Sequence, residues 1–169
     1  MTSSVEPGAA GAAGADAVSG TEAYEIDEVR DTDVENVVAL WRACDLTRPW
    51  NDPYRDLADA RATSTATVLV LRPAPPVVPG AEAVQEPVGS VMAGFDGHRG
   101  WLYYLAVDPS VRGRGHGRRL VVAAEAWLAA QGAVKVQLMV RQTNETVAGF
   151  YTALGYADAE CVVLGRRLP

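Results

Sequence analysis

Glycine alternates with arginine and histidine in one short stretch of the chain, where Gly113, Gly115 and Gly117 stand at every second position. Backbone without a Cβ can adopt positive φ and approach a ligand closely. Four arginines and one histidine, but no acidic residue, lie within residues 109–124. Free N–H groups and local positive charge are what a bound phosphate requires. The stretch is therefore typical of a phosphate-binding turn.

The elements on either side of the turn would position it. Residues 101–107 form an apolar, strand-like segment, and residues 120–131 have the apolar spacing of an amphipathic helix. The first N–H groups of a helix have no partner within it, and the helix dipole adds partial positive charge at that end. We therefore expect an anion at the start of this helix.

Two common phosphate loops do not fit the stretch. A Walker loop needs Lys and then Ser or Thr after its last glycine, but Arg118 and Arg119 follow Gly117. A Rossmann loop needs G-x-G-x-x-G and an acid at the end of the next strand. Here the spacing is G-x-G-x-G and the next predicted strand, 134–140, leads into Arg141. A nucleotide-binding enzyme is therefore the class we favour least.

A third pattern, [RQ]-x-x-G-x-[GA], is met by Arg112, Gly115 and Gly117. It resembles the acyl-CoA pyrophosphate loop of the GNAT N-acetyltransferase superfamily.

A second pattern of the same superfamily follows along the chain. Asn144, Tyr151 and Gly155 match N-x-x-A-x-x-x-Y-x-x-x-G-F/Y, with Val147 in place of the alanine. The two patterns cover roughly residues 100–157, and the flanking strands extend the resemblance over most of residues 23–168.

The resemblance implies acetyl-CoA as co-substrate, no metal, and direct acetyl transfer to a primary amine, of a small molecule or a protein, through a tetrahedral intermediate. In this superfamily the strand before the glycine turn carries a β-bulge and diverges from the strand after it, so that backbone N–H groups reach the thioester. The implied acetyl-CoA-binding residues are Leu105, Ala106, Val107, Arg112, Gly113, Arg114, Gly115, His116, Gly117, Arg118, Asn144 and Tyr151.

Tyr151 occupies the position of the family's general acid. A phenol with a pKa of about 10 can donate a proton to a departing thiolate. Alternatively, Tyr151 is a core aromatic residue at helical spacing from Val147 and Leu154. Asn144 would hydrogen-bond the pantetheine arm, and as an alternative or in addition it would cap the following helix.

The general base is less defined by the sequence. In ribosomal-protein-acetylating relatives a glutamate serves, and that position is Met139 here. The proton would therefore leave through water or through another side chain, for which we consider Asp96 and His98 first, with Tyr103 and Asp52 as further candidates. Histidine exchanges protons near neutral pH, although a solvated turn residue is the alternative for His98.

A wall for the acceptor amine is expected where several loops meet. We assign Trp50, Asp52 and Tyr103 to it, beside Asp96 and His98. The alternative for Trp50 is an anchor that holds its loop to the core. The segments 44–53 and 94–100 resemble the YpeA-type subgroup of bacterial GNAT proteins.

Composition limits the other function classes. The chain has 169 residues, 49% of them hydrophobic, and a net charge of −6. One domain over residues 23–169 is expected, after a disordered tail over residues 1–22 that is rich in Ala, Gly and Ser. The acidic balance does not favour nucleic acid. No apolar run is long enough to span a membrane.

Location and assembly are interpreted from the same features. A cytoplasmic protein is the consistent interpretation, with Cys44 and Cys161 as reduced, semi-buried thiols. The sequence leaves a homodimer open.

The order of predicted elements is βααβββ, then βα twice, then one or two strands over residues 160–168. It predicts an α/β protein of the α+β kind, with a mixed sheet flanked by helices on both faces. The strands before and after the glycine turn should be parallel, because a helix connects them. The proline-rich stretch 72–87 would be a tolerated surface insertion. A non-catalytic acyl-CoA-binding module is the rival hypothesis, favoured by Met139.

Overall fold

The computed structural model describes residues 23–75 and 85–167, so the predicted tail 1–22 and residues 76–84 of the proline-rich stretch lie outside it. The described residues form a five-stranded sheet and four α-helices. In chain order these are β1 Tyr24–Glu28, α1 Val34–Ala43, α2 Pro53–Ala62, β2 Ala66–Pro73, β3 Gly89–Phe95, β4 Gly100–Val107, α3 His116–Ala130, β5 Val136–Leu138 and α4 Glu145–Ala153, with single 3-10 turns at Asp31–Asp33 and Pro109–Val111.

The strands lie side by side in the order in which they occur along the chain. β1, β2, β3 and β4 form an antiparallel meander. β5 joins β4 in parallel, after the chain has crossed over through α3. The predicted mixed sheet and the predicted parallel pair are both confirmed.

Each face of the sheet carries its own hydrophobic core. Helices α1 and α2 cover one face, where Trp41 and Leu57 pack with Val68. Helices α3 and α4 cover the other, where Leu120 packs with Leu71. Residues 68–71 of β2 are apolar without interruption because their alternating side chains enter both cores.

A β-bulge interrupts the pairing of β3 with β4. Ser90 pairs with Ala106 and Met92 pairs with Tyr103, so that two residues of β4 oppose Val91. One of them, Tyr104, has φ 50°. Such a bulge changes which residues face which side. Tyr104 packs with the α1–α2 core, whereas Leu105 packs with the α3–α4 core.

β4 and β5 separate soon after they meet. Their pairing ends at Leu102 and Leu138, although β4 continues to Val107. The strand predicted over residues 134–140 is correspondingly reduced to Val136–Leu138. The second half of β4 therefore borders an opening, which we call the split, in place of a neighbouring strand.

The prediction of closing strands over residues 160–168 is wrong for residues 160–167, which contain no strand. Glu160 has φ 55°, and its N–H donates to the Asp158 carboxylate at 2.8 Å. This turn stands where the extended strand would have begun. The segment continues to Arg167, whose guanidinium lies 5.5 Å from the centre of the Trp50 ring.

Arg72 belongs to β2 and not to a surface insertion. Its side chain is 2% exposed. Its Nη2 and Nη1 lie 2.8 Å and 3.1 Å from the two carboxylate oxygens of Asp33. Nη1 also donates to the backbone oxygen of Gln85 at 3.3 Å, which ties the far end of the proline-rich stretch to the sheet.

Cys44 and Cys161 are free thiols, the first partly buried and the second exposed. Among the residues that the structure describes, no helix is both long enough and apolar enough to cross a bilayer.

Candidate functional site

The glycine turn between β4 and α3 is open to a ligand. Gly113 and Gly115 have φ of 78° and 80°, values that favour glycine. A Cβ added at either position would meet no atom within 4 Å. The space above both glycines is therefore free for a bound group to approach the main chain.

The first N–H groups of α3 are also free. Gly115 is the N-cap of the helix and supplies no side-chain acceptor. The first main-chain bond runs from the Arg119 N–H to the Gly115 oxygen at 3.1 Å. Within residues 23–75 and 85–167, the N–H groups of residues 113–118 have no hydrogen-bond acceptor. These N–H groups lie at the N-terminus of α3, where the helix dipole is positive. The two features together favour the binding of a polyanion.

The arginines of the turn fall into two groups. Arg114 and Arg118 are exposed and have no acidic partner in the described part of the chain. Arg119 donates to the main-chain oxygen of Tyr24 at 2.7 Å. Two guanidinium groups thus remain available beside the free N–H groups.

Arg112, predicted to contact the pyrophosphate, holds the start of the turn through its own contacts with the protein. Its Nε donates to the Val107 oxygen at 2.9 Å, and its Nη2 lies 3.3 Å from the Cys44 sulfur. The Cys44 thiol contacts the same Val107 oxygen at 3.4 Å. These contacts connect the end of α1, the end of β4 and the glycine turn.

His116 turns its side chain inward. It is 5% exposed, and its ring centre lies 4.4 Å from that of Tyr24. Burial, with Arg119 and Arg114 nearby, lowers the pKa of His116. The imidazole is therefore neutral near pH 7. The main-chain N–H of His116 is the group that remains available to an anion.

Gly117 has a packing role. A Cβ there would lie 3.3 Å from the Phe150 ring of α4 and 3.8 Å from Val107. The missing side chain lets α4 approach the N-terminus of α3. Since Tyr151 follows Phe150, this close approach also locates the predicted general acid.

The split exposes main-chain donors of β4. The Asp108 N–H donates to the Val88 oxygen of the β3 side at 2.8 Å. Because N–H groups alternate along a strand, those of Leu105 and Val107 point the other way, toward the split. Ala106, in contrast, pairs with Ser90 in the ladder and is 2% exposed.

Tyr151 lies in the α3–α4 core and is 8% exposed. Its ring makes edge contacts with Phe150 at 5.0 Å and Tyr156 at 5.5 Å. Burial raises the pKa of Tyr151 to about 12. Its hydroxyl has no hydrogen-bond partner among the described residues, so the group is a neutral donor without an assigned acceptor.

Asn144 is the N-cap of α4, and its Oδ1 accepts from the Val147 N–H at 3.2 Å. The capping role that we considered as an alternative is thus present. The Asn144 amide nitrogen has no partner within the described residues, so a second role remains open to it.

Asp96 and His98 lie in the turn before β4. Asp96 accepts hydrogen bonds from the N–H groups of Arg99 and His98 and from the Trp101 indole, at 2.6, 2.7 and 2.8 Å. Hydrogen bonds from the Arg99 N–H, the Trp101 indole and the His98 N–H lower the pKa of Asp96 to about 2. Such a carboxylate is a weak base. The turn also lies about 17 Å along β4 from Leu105, at about 3.3 Å per residue.

The predicted acceptor residues form two groups. Tyr103 is 39% exposed and stacks on Trp101, next to Asp96. Trp50 is 60% exposed, and Asp52 caps α2 by accepting from the Tyr54 N–H at 3.0 Å. Among the described residues, no hydrogen bond or ring contact joins the two groups.

Four residues near the bulge were not identified from the sequence: Trp41, Ser90, Asp56 and Tyr104. Hydrogen bonds and a ring stack connect these four residues at the α1–α2 core. The consecutive tyrosines 103 and 104 were the available signal, because two large aromatic residues in sequence break the alternation of a strand.

The site therefore combines three chemical capacities. Free N–H groups and two arginines at the N-terminus of α3 can hold a polyanion. The N–H groups of Leu105 and Val107 can stabilise negative charge on an oxygen in the split. Tyr151 can donate a proton from the α4 side.

Comparison with known proteins bears on the family of the chain. The model of the Acetyltransferase (GNAT) family matches residues 35–156. An acetyltransferase of Pectobacterium atrosepticum is 44% identical over 144 residues, which are 85% of this chain and 95% of that protein.

Solved structures with the same fold share less sequence. An aminoglycoside N-acetyltransferase in complex with CoA superposes with a TM-score of 0.71 at 18% identity, covering 89% of this chain and 99% of that one. An aminoglycoside 6'-N-acetyltransferase from Acinetobacter haemolyticus gives a TM-score of 0.66 at 16% identity, covering 86% and 99%. Together with the matched family model and the relative from Pectobacterium, the fold shows that this chain is an acetyltransferase that belongs to the GNAT family.

Proposed function

We propose that this chain transfers an acetyl group from acetyl-CoA directly to a primary amine, through a tetrahedral intermediate. The observation that carries the proposal is the row of free N–H groups over residues 113–118, which leads into the split beside Leu105 and Val107. A diphosphate held at the start of α3 would direct the attached arm toward those strand donors.

The chemistry divides among three groups. Arg114 and Arg118 would balance phosphate charge, with the Asn144 amide on the pantetheine arm. The N–H groups of Leu105 and Val107 would stabilise the oxygen that becomes negative when the amine attacks. Tyr151, neutral because its pKa is raised to about 12, would donate to the departing thiolate.

The amine must also lose a proton, and our hypothesis includes both side chains and water as the proton acceptor. Asp96 and His98 stay predictions, and the three hydrogen bonds to Asp96 weigh against it. Transfer through water fits better with Met139, which is 54% exposed and has no proton to exchange. The acceptor would meet Trp50, Asp52 and Tyr103, which lie on loops or on the α1–α2 face.

Residues 44–53 and 94–100 support membership of the YpeA-type subgroup, which we propose on their sequence alone. We also propose one domain over residues 23–169, and a cytoplasmic location in which the two thiols stay reduced. A homodimer stays a prediction.

A DTNB assay of CoA release, run with acetyl-CoA and a panel of primary amines, tests the proposal. Turnover with at least one amine, and an N-acetylated product by mass spectrometry, is the expected result. Met139 is the observation that favours the alternative, a non-catalytic acyl-CoA-binding module. Tight acetyl-CoA binding by calorimetry without turnover on the panel would favour that module.

A further inference from the structure

The bulge residue Tyr104 has a conformation that its surroundings must hold. A φ of 50° is uncommon for a residue with a side chain. The Tyr104 ring stacks on Trp41, with ring centres 4.0 Å apart and planes at 19°. Its hydroxyl donates to the Asp56 carboxylate of α2 at 2.6 Å. The Tyr104 side chain is therefore held both by the stacking of its ring and by the hydrogen bond of its hydroxyl.

The main chain of Tyr104 is fixed as well. The Trp41 indole N–H donates to the Ser90 hydroxyl at 2.9 Å, which leaves the Ser90 proton free to point elsewhere. That hydroxyl donates to the Tyr104 carbonyl oxygen at 3.4 Å. Trp41 and Ser90 are both fully buried, so water does not compete for these bonds. The direction of the Tyr104 carbonyl is thus set from the β3 side.

The carbonyl of Tyr104 and the N–H of Leu105 belong to one peptide group. A trans peptide is planar, and its C=O and N–H point in opposite directions. A carbonyl that is held toward Ser90 on the β3 side therefore holds the next N–H toward the split. The orientation of the donor depends on side chains that never reach the split themselves.

We propose that Trp41, Ser90, Tyr104 and Asp56 are positioning residues that aim the Leu105 N–H at the thioester oxygen. We call these four residues the bulge brace. This inference rests on the proposed acetyl transfer, because it concerns the donor for that reaction. None of the four exchanges a proton with the substrates.

The protonation of Tyr104 agrees with this role. Burial and the hydrogen bond to Asp56 raise the pKa of Tyr104 to about 12. The hydroxyl therefore stays a donor to Asp56 over the whole range in which an amine acetyltransferase can be assayed. The brace should not loosen at mildly alkaline pH.

Tyr104→Phe is the test variant, because it keeps the ring stack on Trp41 and removes only the bond to Asp56. Tyr54→Phe is the matched control. Tyr54 lies on the same helix as Asp56, and its hydroxyl donates to the Glu35 carboxylate at 2.8 Å, away from the bulge. Asp56→Ala and Asp56→Asn complete the set, since asparagine can still accept from Tyr104.

Two measurements distinguish an effect on the orientation of the Leu105 N–H from an effect on the stability of the fold. Steady-state kinetics give kcat and the KM for acetyl-CoA. The ¹³C chemical shift of [1-¹³C]acetyl-CoA bound to the protein reports how strongly hydrogen bonds polarise the carbonyl, without any need for turnover. Thermal unfolding of each variant confirms that it is folded at the assay temperature.

We expect Tyr104→Phe to lower kcat at least tenfold while KM changes less than about twofold, since loss of a whole oxyanion donor costs roughly 10²–10³ in kcat. The bound carbonyl should shift upfield relative to the wild type. Asp56→Asn should retain more kcat than Asp56→Ala. Tyr54→Phe should leave kcat, KM and chemical shift unchanged.

The outcomes distinguish this inference from the function on which it rests. Wild-type kcat and chemical shift in a folded Tyr104→Phe protein would overturn the bulge brace and leave acetyl transfer standing. An upfield shift in Tyr104→Phe, with no wild-type turnover on any amine, would support the brace and contradict the transfer. A wild-type protein that does not bind acetyl-CoA would overturn both.

Discussion

At the scale of single residues, Tyr151 shows how environment selects a chemical role. The residue is almost fully buried among aromatic rings, and burial raises the pKa of its phenol to about 12. Because the ionised form is disfavoured, the side chain suits proton donation and not proton removal. Its hydroxyl has no protein acceptor within the described residues, so removing it should disturb catalysis more than folding.

Tyr151→Phe is therefore predicted to lower kcat by about 10²–10⁴, the usual contribution of a general acid. The KM for acetyl-CoA and the melting temperature should change little. Tyr156→Phe is the matched control, because the Tyr156 hydroxyl donates to Glu125 at 2.6 Å. That variant should lose about 1 kcal/mol of stability with kcat intact. Equal kcat in Tyr151→Phe and the wild type would remove Tyr151 from the mechanism.

The raised pKa also predicts a pH dependence. The Tyr151 phenol keeps its proton up to about pH 11, so it should contribute no alkaline limb to kcat below that pH. The difference in absorbance at 295 nm between the wild type and Tyr151→Phe should show this ionisation only near pH 12. Ionisation of Tyr151 near pH 10 would indicate that the ring is exposed.

At the scale of elements, the turn between β4 and α3 depends on two glycines with positive φ, Gly113 and Gly115. Gly115→Ala would impose a left-handed conformation on a residue with a Cβ, which costs about 1–2 kcal/mol. It would also put a methyl group into the open space above the turn. We predict that KM for acetyl-CoA rises about tenfold, more than kcat falls.

Gly97→Ala is the control for that prediction. Gly97 has φ 87° and equally open space around its α carbon, but it lies in the turn between β3 and β4. The strain should be similar and KM should stay at the wild-type value. Matching KM increases in both variants would mean that strain alone, and not the anion site, explains the effect at Gly115.

The elements also show what the sequence could and could not predict. Periodicity was sufficient for α1, β2 and the parallel pairing across α3, since each depends on local pattern and chain connection. The bulge was implied by the family resemblance, yet the residues that hold it were not found. Ser90 lies 49 residues after Trp41 along the chain, so their contact cannot be inferred from local spacing.

The closing strands were predicted over residues 160–168, a segment that contains Val162, Val163 and Leu164. In the structure these side chains are 67–89% exposed. A turn at Glu160 precedes them and β5 ends at Leu138, and neither feature can be judged from the composition of the segment.

At the scale of the whole molecule, the pair of Arg72 and Asp33 connects β2 with the start of α1. Both side chains are buried, and Asp33 is the nearer counter-charge of Arg72, at 2.8 Å against 3.8 Å for Asp27. Burial alone would raise the pKa of Asp33, but the hydrogen bonds from Arg72 and from the Arg30 N–H lower it on balance. The resulting stability is present above the ordinary carboxyl pKa and is lost as the pH falls through the lowered one.

Asp33→Asn is predicted to cost about 3–5 kcal/mol, because it removes the carboxylate that bonds to the buried Arg72 guanidinium and leaves Asp27, at 3.8 Å, as a more distant counter-charge. Asp31→Asn is the control, since Asp31 pairs with Arg61 at an exposed position and should cost about 0–1 kcal/mol. Urea unfolding at pH 7 measures both. The difference between wild type and Asp33→Asn should shrink below pH 4. Similar losses in the two variants would contradict the assigned importance of burial.

The sequential order of the strands has a temporal consequence. Since β2, β3 and β4 each pair with the strand that precedes them, each of these strands finds its neighbour already synthesised when it emerges from a ribosome. The glycine turn comes next, and the segment with Tyr151 comes last. A nascent chain can thus assemble its scaffold well before it becomes competent for chemistry.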